Sequence, residues 1–321
     1  MRFRGPLFVG LLGLAVGCAD GAGPRVRETT QAIVGPSTDD DRDRAVVLVE
    51  IRTASGDTGS CTGVVVGPRA VLTAAHCVAL QAVGKGATFS LFLGDDPQDA
   101  EQMALSENHV DVLTAIPDPR FDLTLLQAGH DVAVLATRTS LSVAPIAFEP
   151  TPVLDHVENV RIVGFGVTDL KDLSAGRRRD ATIAVASFDD RFFELGLSES
   201  APCLGDSGGP AFAELANGTQ ALIGIVSYTD PRCGPFSRVT RLASYGAFIR
   251  SEIAETELSP SVPDAGDAPE TSDPEPLSAA RVTTSGGCVI GCATGGATHA
   301  LLVVGGLFVL FAFRRRPRAG T

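Results

Sequence analysis

The sequence is short of positive charge and lacks the cysteine pattern of a zinc site. It has 26 Lys and Arg against 38 Asp and Glu, a formal net charge of −12. Because nucleic-acid binding needs a basic face that neutralises phosphates, this balance excludes a nucleic-acid partner. The seven cysteines are scattered and form no two CxxC pairs, so a structural zinc site is also excluded. No metal or organic cofactor is predicted.

Long helical patterns are scarce, whereas turn-forming residues are abundant, with 35 Gly and 20 Pro among 321 residues. Short runs rich in Val and Ile, separated by turn signals, occur at 45–51, 63–66, 160–164 and 221–227. Such runs are typical of β-strands. Only residues 242–257 have a helical pattern. The sequence therefore predicts an all-β domain, a barrel or sandwich architecture, closed by a C-terminal helix.

The N-terminus has the proportions of an export signal, with Arg2 and Arg4 before an apolar stretch at 6–16. Residues 14–18, Leu-Ala-Val-Gly-Cys, resemble a bacterial lipobox, in which Cys18 becomes lipidated. The alternative is ordinary signal cleavage nearby. Export to an oxidising compartment predicts disulfide pairing of the remaining cysteines.

The C-terminal part divides into a linker and a tail. Residues 255–287 are rich in Pro, Ser, Asp and Glu, a composition that predicts a disordered linker. The apolar run at 297–313 would rise about 26 Å as a helix, just short of a roughly 30 Å membrane core. An Arg cluster at 314–318 follows it and is expected to stay cytoplasmic.

With its Cys-Val-Ile-Gly-Cys motif, the tail at 288–321 resembles the MYXO-CTERM type of bacterial surface-sorting tail. This resemblance implies contact with sorting and processing machinery, followed by display on the outer membrane surface or release. The alternative is a plain single-pass membrane anchor. In both cases the bulk of the chain lies outside the cytoplasm.

Two motifs carry chemistry. In residues 205–210, Gly-Asp-Ser-Gly-Gly-Pro, glycines flank Ser207 and leave backbone N–H groups uncovered, as an oxyanion site requires. A simple Gly-rich turn is the alternative. Residues 72–77, Leu-Thr-Ala-Ala-His-Cys, place His76 directly after an apolar strand. A His surrounded by apolar residues is, taken alone, more often a core residue than a catalytic residue.

With both motifs in this order, residues 33–254 resemble the trypsin-like serine peptidases. The resemblance implies two packed six-stranded antiparallel β-barrels with a cleft between them, and a monomeric serine endopeptidase acting on protein or peptide substrates. Ser207 would be the nucleophile, His76 the general base and Asp131, in His-Asp-Val-Ala-Val-Leu, the triad acid. Asp122 mimics the same pattern nine residues earlier and is the weaker alternative.

The same resemblance implies roles for neighbouring residues. The N–H groups of Gly205 and Ser207 would form the oxyanion hole. Cys61 would pair with Cys77, and Cys203 with Cys233 across the walls of the primary specificity pocket.

Residues of that pocket are implied in the same way. Ser227 would support the triad Asp beside the substrate, and Thr229 would line the substrate groove. Ala201 occupies the position at which trypsin has a carboxylate, and Gly234 matches a glycine of the pocket wall. An uncharged base with Thr229 on the wall predicts cleavage after small or medium apolar P1 residues.

Residues 33–35, Ile-Val-Gly, resemble the mature N-terminus of the family, with Pro36 in place of a second Gly. This implies that residues 19–32, after the signal segment at 1–18, are a propeptide, and that the freed amine of Ile33 pairs with Asp206. The alternative is that Ile33 merely starts a strand. Because the cut would follow Ala32, a small apolar residue, self-cleavage is a hypothesis.

Two other classes of function remain open at this point. One is a catalytically silent trypsin-fold binding protein (a pseudoprotease), and the other is a surface structural protein with an incidental motif. Reaction with a fluorophosphonate probe separates the enzyme from both.

Overall fold

The computed structural model describes residues 41–148, 157–167, 173–196, 200–215, 217–229, 233 and 236–258. The predictions for the signal segment, Cys18, the propeptide, Ile33, Gly234, and residues 259–321 of the linker and tail lie outside the described residues. Within the described part of the chain, no helix has the length and apolar character needed to cross a membrane.

The first half of the described chain forms a closed antiparallel barrel of six strands in the order β1-β2-β3-β6-β5-β4. The strands are β1 Val46–Arg52, β2 Thr58–Gly67, β3 Ala70–Thr73, β4 Thr88–Phe92, β5 His109–Pro117 and β6 Ala133–Thr137.

The second half forms another closed six-stranded antiparallel barrel, in the order β10-β11-β12-β9-β8-β7. Its strands are β7 Asn159–Gly164, β8 Arg179–Phe188, β9 Phe192–Leu195, β10 Pro210–Glu214, β11 Gln220–Thr229 and β12 Ser237–Arg241. The prediction of two six-stranded barrels is confirmed.

Strand β1 shows why several strands have apolar residues at successive positions. In a strand with one face exposed to solvent, apolar and polar residues would alternate. Its residues Val47, Val49 and Ile51 pack into the core of the first barrel. The intervening Val46 and Leu48 pack on the opposite side, in a cluster that also contains side chains of the second barrel. Because successive side chains of a strand point to opposite faces, a strand buried on both faces needs apolar residues at every position.

The helices are short except for the last. They are α1 Leu80–Val83, α2 Ala100–Ala104 and α3 Gly246–Leu258. The 3-10 segments are Asp41–Asp43, Ala75–Cys77, Ser106–Asn108, Leu123–Ala128 and Leu242–Tyr245.

Helix α3 closes the structure at the interface of the two barrels, where Ile249 is completely buried. The helical pattern predicted at 242–257 corresponds to a 3-10 turn, Leu242–Tyr245, followed by α3. Because α3 ends at Leu258, residues 255–258 are helical and do not belong to the linker, which was predicted to start at 255.

Candidate active site

His76 lies on the first barrel, in the 3-10 turn Ala75–Cys77 directly after β3. A disulfide joins Cys77 to Cys61 of β2, as predicted, and fixes this turn against the barrel. The side chain of His76 is only slightly exposed.

Asp131 lies just before β6, is fully buried, and holds His76 through two contacts. Its Oδ2 atom is 2.7 Å from Nδ1 of His76, and its Oδ1 atom accepts the backbone N–H of His76 at 2.8 Å. The hydroxyl of Ser227 donates to Oδ2 at 2.5 Å. Because a carboxylate only accepts hydrogen bonds, Nδ1 of His76 is the donor, and Nε2 is the ring nitrogen that carries the lone pair whenever the ring is neutral.

The electrostatics keep Asp131 ionised. Burial by itself raises the pKa of Asp131, but the charge of His76 and the hydrogen bonds from His76 and Ser227 outweigh burial. The pKa of this carboxyl therefore lies below its usual value. An ionised Asp131 can stabilise an imidazolium at His76.

Asp122, the alternative acid, is placed elsewhere. Its Oδ1 atom accepts the N–H and the hydroxyl of Thr124, at 2.8 and 2.7 Å, and so caps the 3-10 turn Leu123–Ala128. The partner of His76 is thus Asp131.

Ser207 lies on the loop that precedes β10 of the second barrel and is partly exposed. Its Oγ atom donates to the carbonyl of Ser227 at 3.4 Å, and its own carbonyl accepts the N–H of Thr62 at 2.8 Å. Ser227 therefore contacts both Ser207, through its carbonyl, and Asp131, through its hydroxyl. The side chain of Ser227 is fully buried, with its hydroxyl on Asp131.

Gly208, directly after Ser207, has to be a glycine. Its φ is +82°, and a Cβ atom there would lie 2.2 Å from Oγ1 of Thr73 and 2.3 Å from the carbonyl of Thr62. The close approach of this loop to the first barrel brings Ser207 to the side on which His76 lies.

The backbone on either side of Asp206 is distinguished by the hydrogen bonds of its N–H groups. Within the described part of the chain, the N–H groups of Gly205 and Ser207 have no hydrogen-bond acceptor, whereas the N–H of Asp206 donates to the carbonyl of Cys203. Gly205 has a φ of +98°, a conformation that glycine adopts readily. Two such N–H groups beside a serine hydroxyl are suited to a developing oxyanion.

Asp206 is completely buried beneath this loop. It accepts the N–H groups of Gly166 and Cys203, both at 2.8 Å. Burial raises the pKa of Asp206 to about 7, against the opposing effect of these two hydrogen bonds and of the charge of Arg179. At neutral pH the carboxyl is thus poised between its two protonation states.

The role of the glycines beside Asp206 was not predicted from the sequence. Cβ atoms at Gly164 and Gly166 would lie 2.1 and 2.2 Å from the Asp206 carboxyl oxygens. The signal that could have revealed this was the Gly-Phe-Gly sequence at 164–166, which indicates close approach of another chain segment.

The predicted specificity pocket is described in part. The disulfide between Cys203 and Cys233 is present, as predicted. Ala201 is buried. The hydroxyl of Thr229 bonds the carbonyl of Pro202 at 2.9 Å and Oγ of Ser237 at 2.8 Å.

The hydroxyl of Thr229 is therefore held by two hydrogen-bond partners that the sequence did not reveal. Pro202 directly follows Ala201, so one of these bonds ties Thr229 to the segment predicted to form the pocket base. The other, to Ser237, ties it to β12.

Among the described residues, one group has its metal-ligating atoms close together: Cys61, His76 and Cys77, within 4.8 Å of one another. Both cysteines are in a disulfide, so neither sulfur is available as a thiolate ligand. This group is therefore not a metal centre.

Comparison with known proteins gives one family match and several similar proteins. The trypsin family model matches residues 33–249. Phenoloxidase-activating enzyme 1 of Spodoptera litura is 29% identical over 252 residues, which cover 70% of this chain and 67% of the relative. Chymotrypsin-like elastase family member 1 of Bos taurus is 26% identical over 231 residues, 65% and 84% of the two chains. Granzyme M of Rattus norvegicus is 27% identical over 224 residues, 62% and 82% of the two chains.

Proposed function

This chain belongs to the trypsin family and is a serine endopeptidase, and from that premise we propose that it works through Ser207, His76 and Asp131. The observation that carries the proposal is the 2.7 Å contact between Nδ1 of His76 and the buried Asp131 carboxylate. Ser227 joins the same network to Ser207 through its carbonyl.

In the acylation step, Oγ of Ser207 attacks the scissile carbonyl carbon as Nε2 of His76 takes the hydroxyl proton. Asp131 stabilises the imidazolium, and the N–H groups of Gly205 and Ser207 receive the oxyanion. His76 then gives its proton to the departing amine, and the acyl-enzyme forms. Water, activated by His76 in the same way, releases the second product and regenerates Ser207.

The oxyanion hole is supported by two backbone N–H groups, of Gly205 and Ser207, that have no acceptor among the described residues. Each oxyanion donor of this kind is worth about 3 to 4 kcal/mol of transition-state stabilisation in a comparable enzyme. Since the two N–H groups have no acceptor within the described residues, no protein hydrogen bond has to be broken there when the transition state forms.

We further propose that cleavage before Ile33 activates the enzyme, and that the new amine pairs with Asp206. A buried carboxyl with a pKa raised to about 7 gains stability from a nearby cation. Pairing with an ammonium group would ionise Asp206 and fix the loop that carries Gly205 and Ser207.

The proposed P1 preference is for small or medium apolar residues. It is supported by the buried, uncharged Ala201 and by Thr229, whose hydroxyl is bonded to Pro202 and Ser237 and cannot swing aside without losing both partners. In an apolar pocket, discrimination by size is worth about 1 to 3 kcal/mol, so a graded preference is expected.

The terminal segments complete the proposal. We propose export through residues 1–18, a linker after α3, and a sorting tail at 288–321 that places the peptidase on the cell surface or releases it. Mass spectrometry of the mature N- and C-termini, with and without Cys18→Ala, tests lipidation and tail removal together.

The first test of the catalytic proposal is a P1 cleavage profile of the domain that starts at Ile33, run beside Ser207→Ala. Cleavage after Ala, Val or similar residues, absent in the variant, supports both the triad and the pocket. A preference for Arg or Lys keeps the triad and contradicts the role given to Ala201. The competing function, a catalytically silent binding protein, predicts no cleavage and no fluorophosphonate labelling despite a free Ile33 amine.

A further inference from the structure

Thr62, of the first barrel, contacts the loop at 203–209 of the second barrel, called here the nucleophile loop because it carries Ser207. It lies on β2, next to the disulfide-bonded Cys61, and is completely buried. The loop at 203–209 packs directly against it: the methyl group of Thr62 would be 3.2 Å from a Cβ atom at Gly209.

Every polar group of Thr62 has a partner in this region. Its hydroxyl donates to the carbonyl of Gly205 at 2.8 Å and accepts the N–H of Phe165 at 3.0 Å. Its N–H donates to the carbonyl of Ser207 at 2.8 Å. Its carbonyl accepts the hydroxyl of Thr73, also at 2.8 Å.

The two bonds of the hydroxyl are mutually consistent. A threonine hydroxyl has one hydrogen to donate and lone pairs that accept. Since the N–H of Phe165 supplies a hydrogen, the hydroxyl hydrogen of Thr62 is committed to the carbonyl of Gly205. Three segments are therefore joined at one oxygen: β2, the Gly-Phe-Gly segment at 164–166 and the nucleophile loop.

The bond to Gly205 bears on catalysis because Gly205 is a proposed oxyanion donor. A glycine at a φ of +98° has no side chain that restricts its backbone rotation. Holding its carbonyl limits that rotation, and the backbone N–H of Gly205 then stays directed to the position beside Ser207.

We propose that Thr62 is a positioning residue of the oxyanion hole, which acts by holding the carbonyl of Gly205 with its hydroxyl. This inference rests on the proposed function of Gly205, Ser207 and His76. Thr62 itself touches neither the scissile bond nor the oxyanion; it acts through Gly205.

The test uses two matched pairs at position 62, in the activated enzyme. Threonine and Thr62→Val differ by a hydroxyl in place of a methyl group, and Thr62→Ser and Thr62→Ala differ by a hydroxyl in place of a hydrogen. If the valine variant does not fold, the serine and alanine variants make the same comparison without a buried methyl group facing polar atoms. Thermal unfolding establishes that each enzyme is folded at the assay temperature.

We expect kcat of Thr62→Val and Thr62→Ala to fall between about 10-fold and 100-fold, because a donor that loses its alignment loses much of its effect on the transition state. KM is expected to change little, and Thr62→Ser is expected to stay within about threefold of the parent enzyme.

A second readout is inhibition by a peptide boronic acid, which forms a tetrahedral adduct with Oγ of Ser207. Its inhibition constant is expected to rise by the factor by which kcat/KM falls, while that of a non-covalent product peptide is unchanged.

Two outcomes overturn the inference. In one, kcat is equal in the Thr62 and Thr62→Val enzymes while Ser207→Ala is inactive. In the other, Thr62→Ser is as impaired as Thr62→Ala, which would assign the effect to the shape of the side chain and not to its hydroxyl. Cleavage by Ser207→Ala at the parent rate would instead overturn the proposed function itself.

Discussion

The buried carboxyl of Asp206 predicts that the uncut chain becomes less stable as the pH rises from about 4 to 7. The pKa of this group is raised from 3.8 to about 7 in the folded chain. When the pKa of a group is higher in the folded than in the unfolded chain, folding is favoured most at a pH below the pKa of the unfolded chain. That contribution to stability is lost as the pH rises through the pKa of the folded chain. At 1.36 kcal/mol per pH unit, the loss is roughly 4 kcal/mol by pH 8.

That loss is large beside the total stability of about 5 to 15 kcal/mol typical of a folded domain. The measurement is urea unfolding between pH 4 and 8 of the uncut chain, with Ser207→Ala present in every sample to prevent self-cleavage. The matched variant is Asp206→Asn, which keeps the size of the side chain but cannot ionise.

The two chains are compared by how steeply the free energy of unfolding changes with pH, and not by its absolute value. The reason is that Asn also loses one of the acceptor atoms that Asp206 offers to Gly166 and Cys203. We expect the free energy of unfolding of the parent chain to fall relative to that of Asp206→Asn by roughly 4 kcal/mol over this range. Two curves that stay parallel would refute the reasoning. In a chain cut before Ile33, the difference is expected to shrink, because the new amine would lower the pKa of Asp206.

Four further substitutions have expected outcomes. Ser227→Ala removes a hydrogen bond to a buried carboxylate, worth about 1.5 to 3 kcal/mol, so kcat/KM measured at steady state is expected to fall roughly 10- to 100-fold. Gly208→Ala places a Cβ atom against Thr73 at a positive φ, and thermal unfolding is expected to show a loss of about 2 kcal/mol or more. Arg179→Gln removes a charge that lowers the pKa of Asp206, so the pH-dependent loss of stability is expected to extend to higher pH. Thr229→Gly is expected to shift the P1 cleavage profile towards larger apolar residues.

Each of these predictions has a contradicting result, and the first two also have a matched control. Ser227→Thr keeps the hydroxyl, and activity of the alanine variant equal to that of the parent would contradict the contact with Asp131. Gly218→Ala also has a positive φ but open space around its Cβ atom, so an equal loss at Gly208 would leave the steric argument unsupported. An unchanged pH profile in Arg179→Gln contradicts its influence on Asp206. An unchanged P1 profile in Thr229→Gly contradicts the pocket wall.

The strands and the closing helix could be predicted from the sequence because local patterns specify them. The apolar runs at 45–51 and 160–164 correspond to β1 and β7 within one or two residues. What those runs could not reveal is which face meets which core, because β1 is buried on both sides. Val47 packs in the core of the first barrel, and Leu48 packs in the cluster shared with the second barrel. This difference arises only when the two barrels pack together.

The site was predictable where a short motif surrounds the residue, as at His76 and Ser207. It was ambiguous where two similar motifs compete: Asp122 and Asp131 are nine residues apart in matching sequences, and only the structure shows that Asp131 meets His76. The two disulfides followed from the resemblance, and both are present.

By itself, then, the sequence determined the residue types that chemistry requires and the strands that carry them, because both are encoded within a few neighbouring positions. Only the tertiary structure decided how Asp206 is buried, how Thr62 reaches Gly205, and how Thr229 is tied to Pro202 and Ser237. These contacts join residues far apart in the chain, and neither burial nor the orientation of a hydroxyl can be inferred until the segments meet. The pKa of Asp206 belongs to the same class, since it depends on burial against the segment at 164–166, about 40 residues away in the chain.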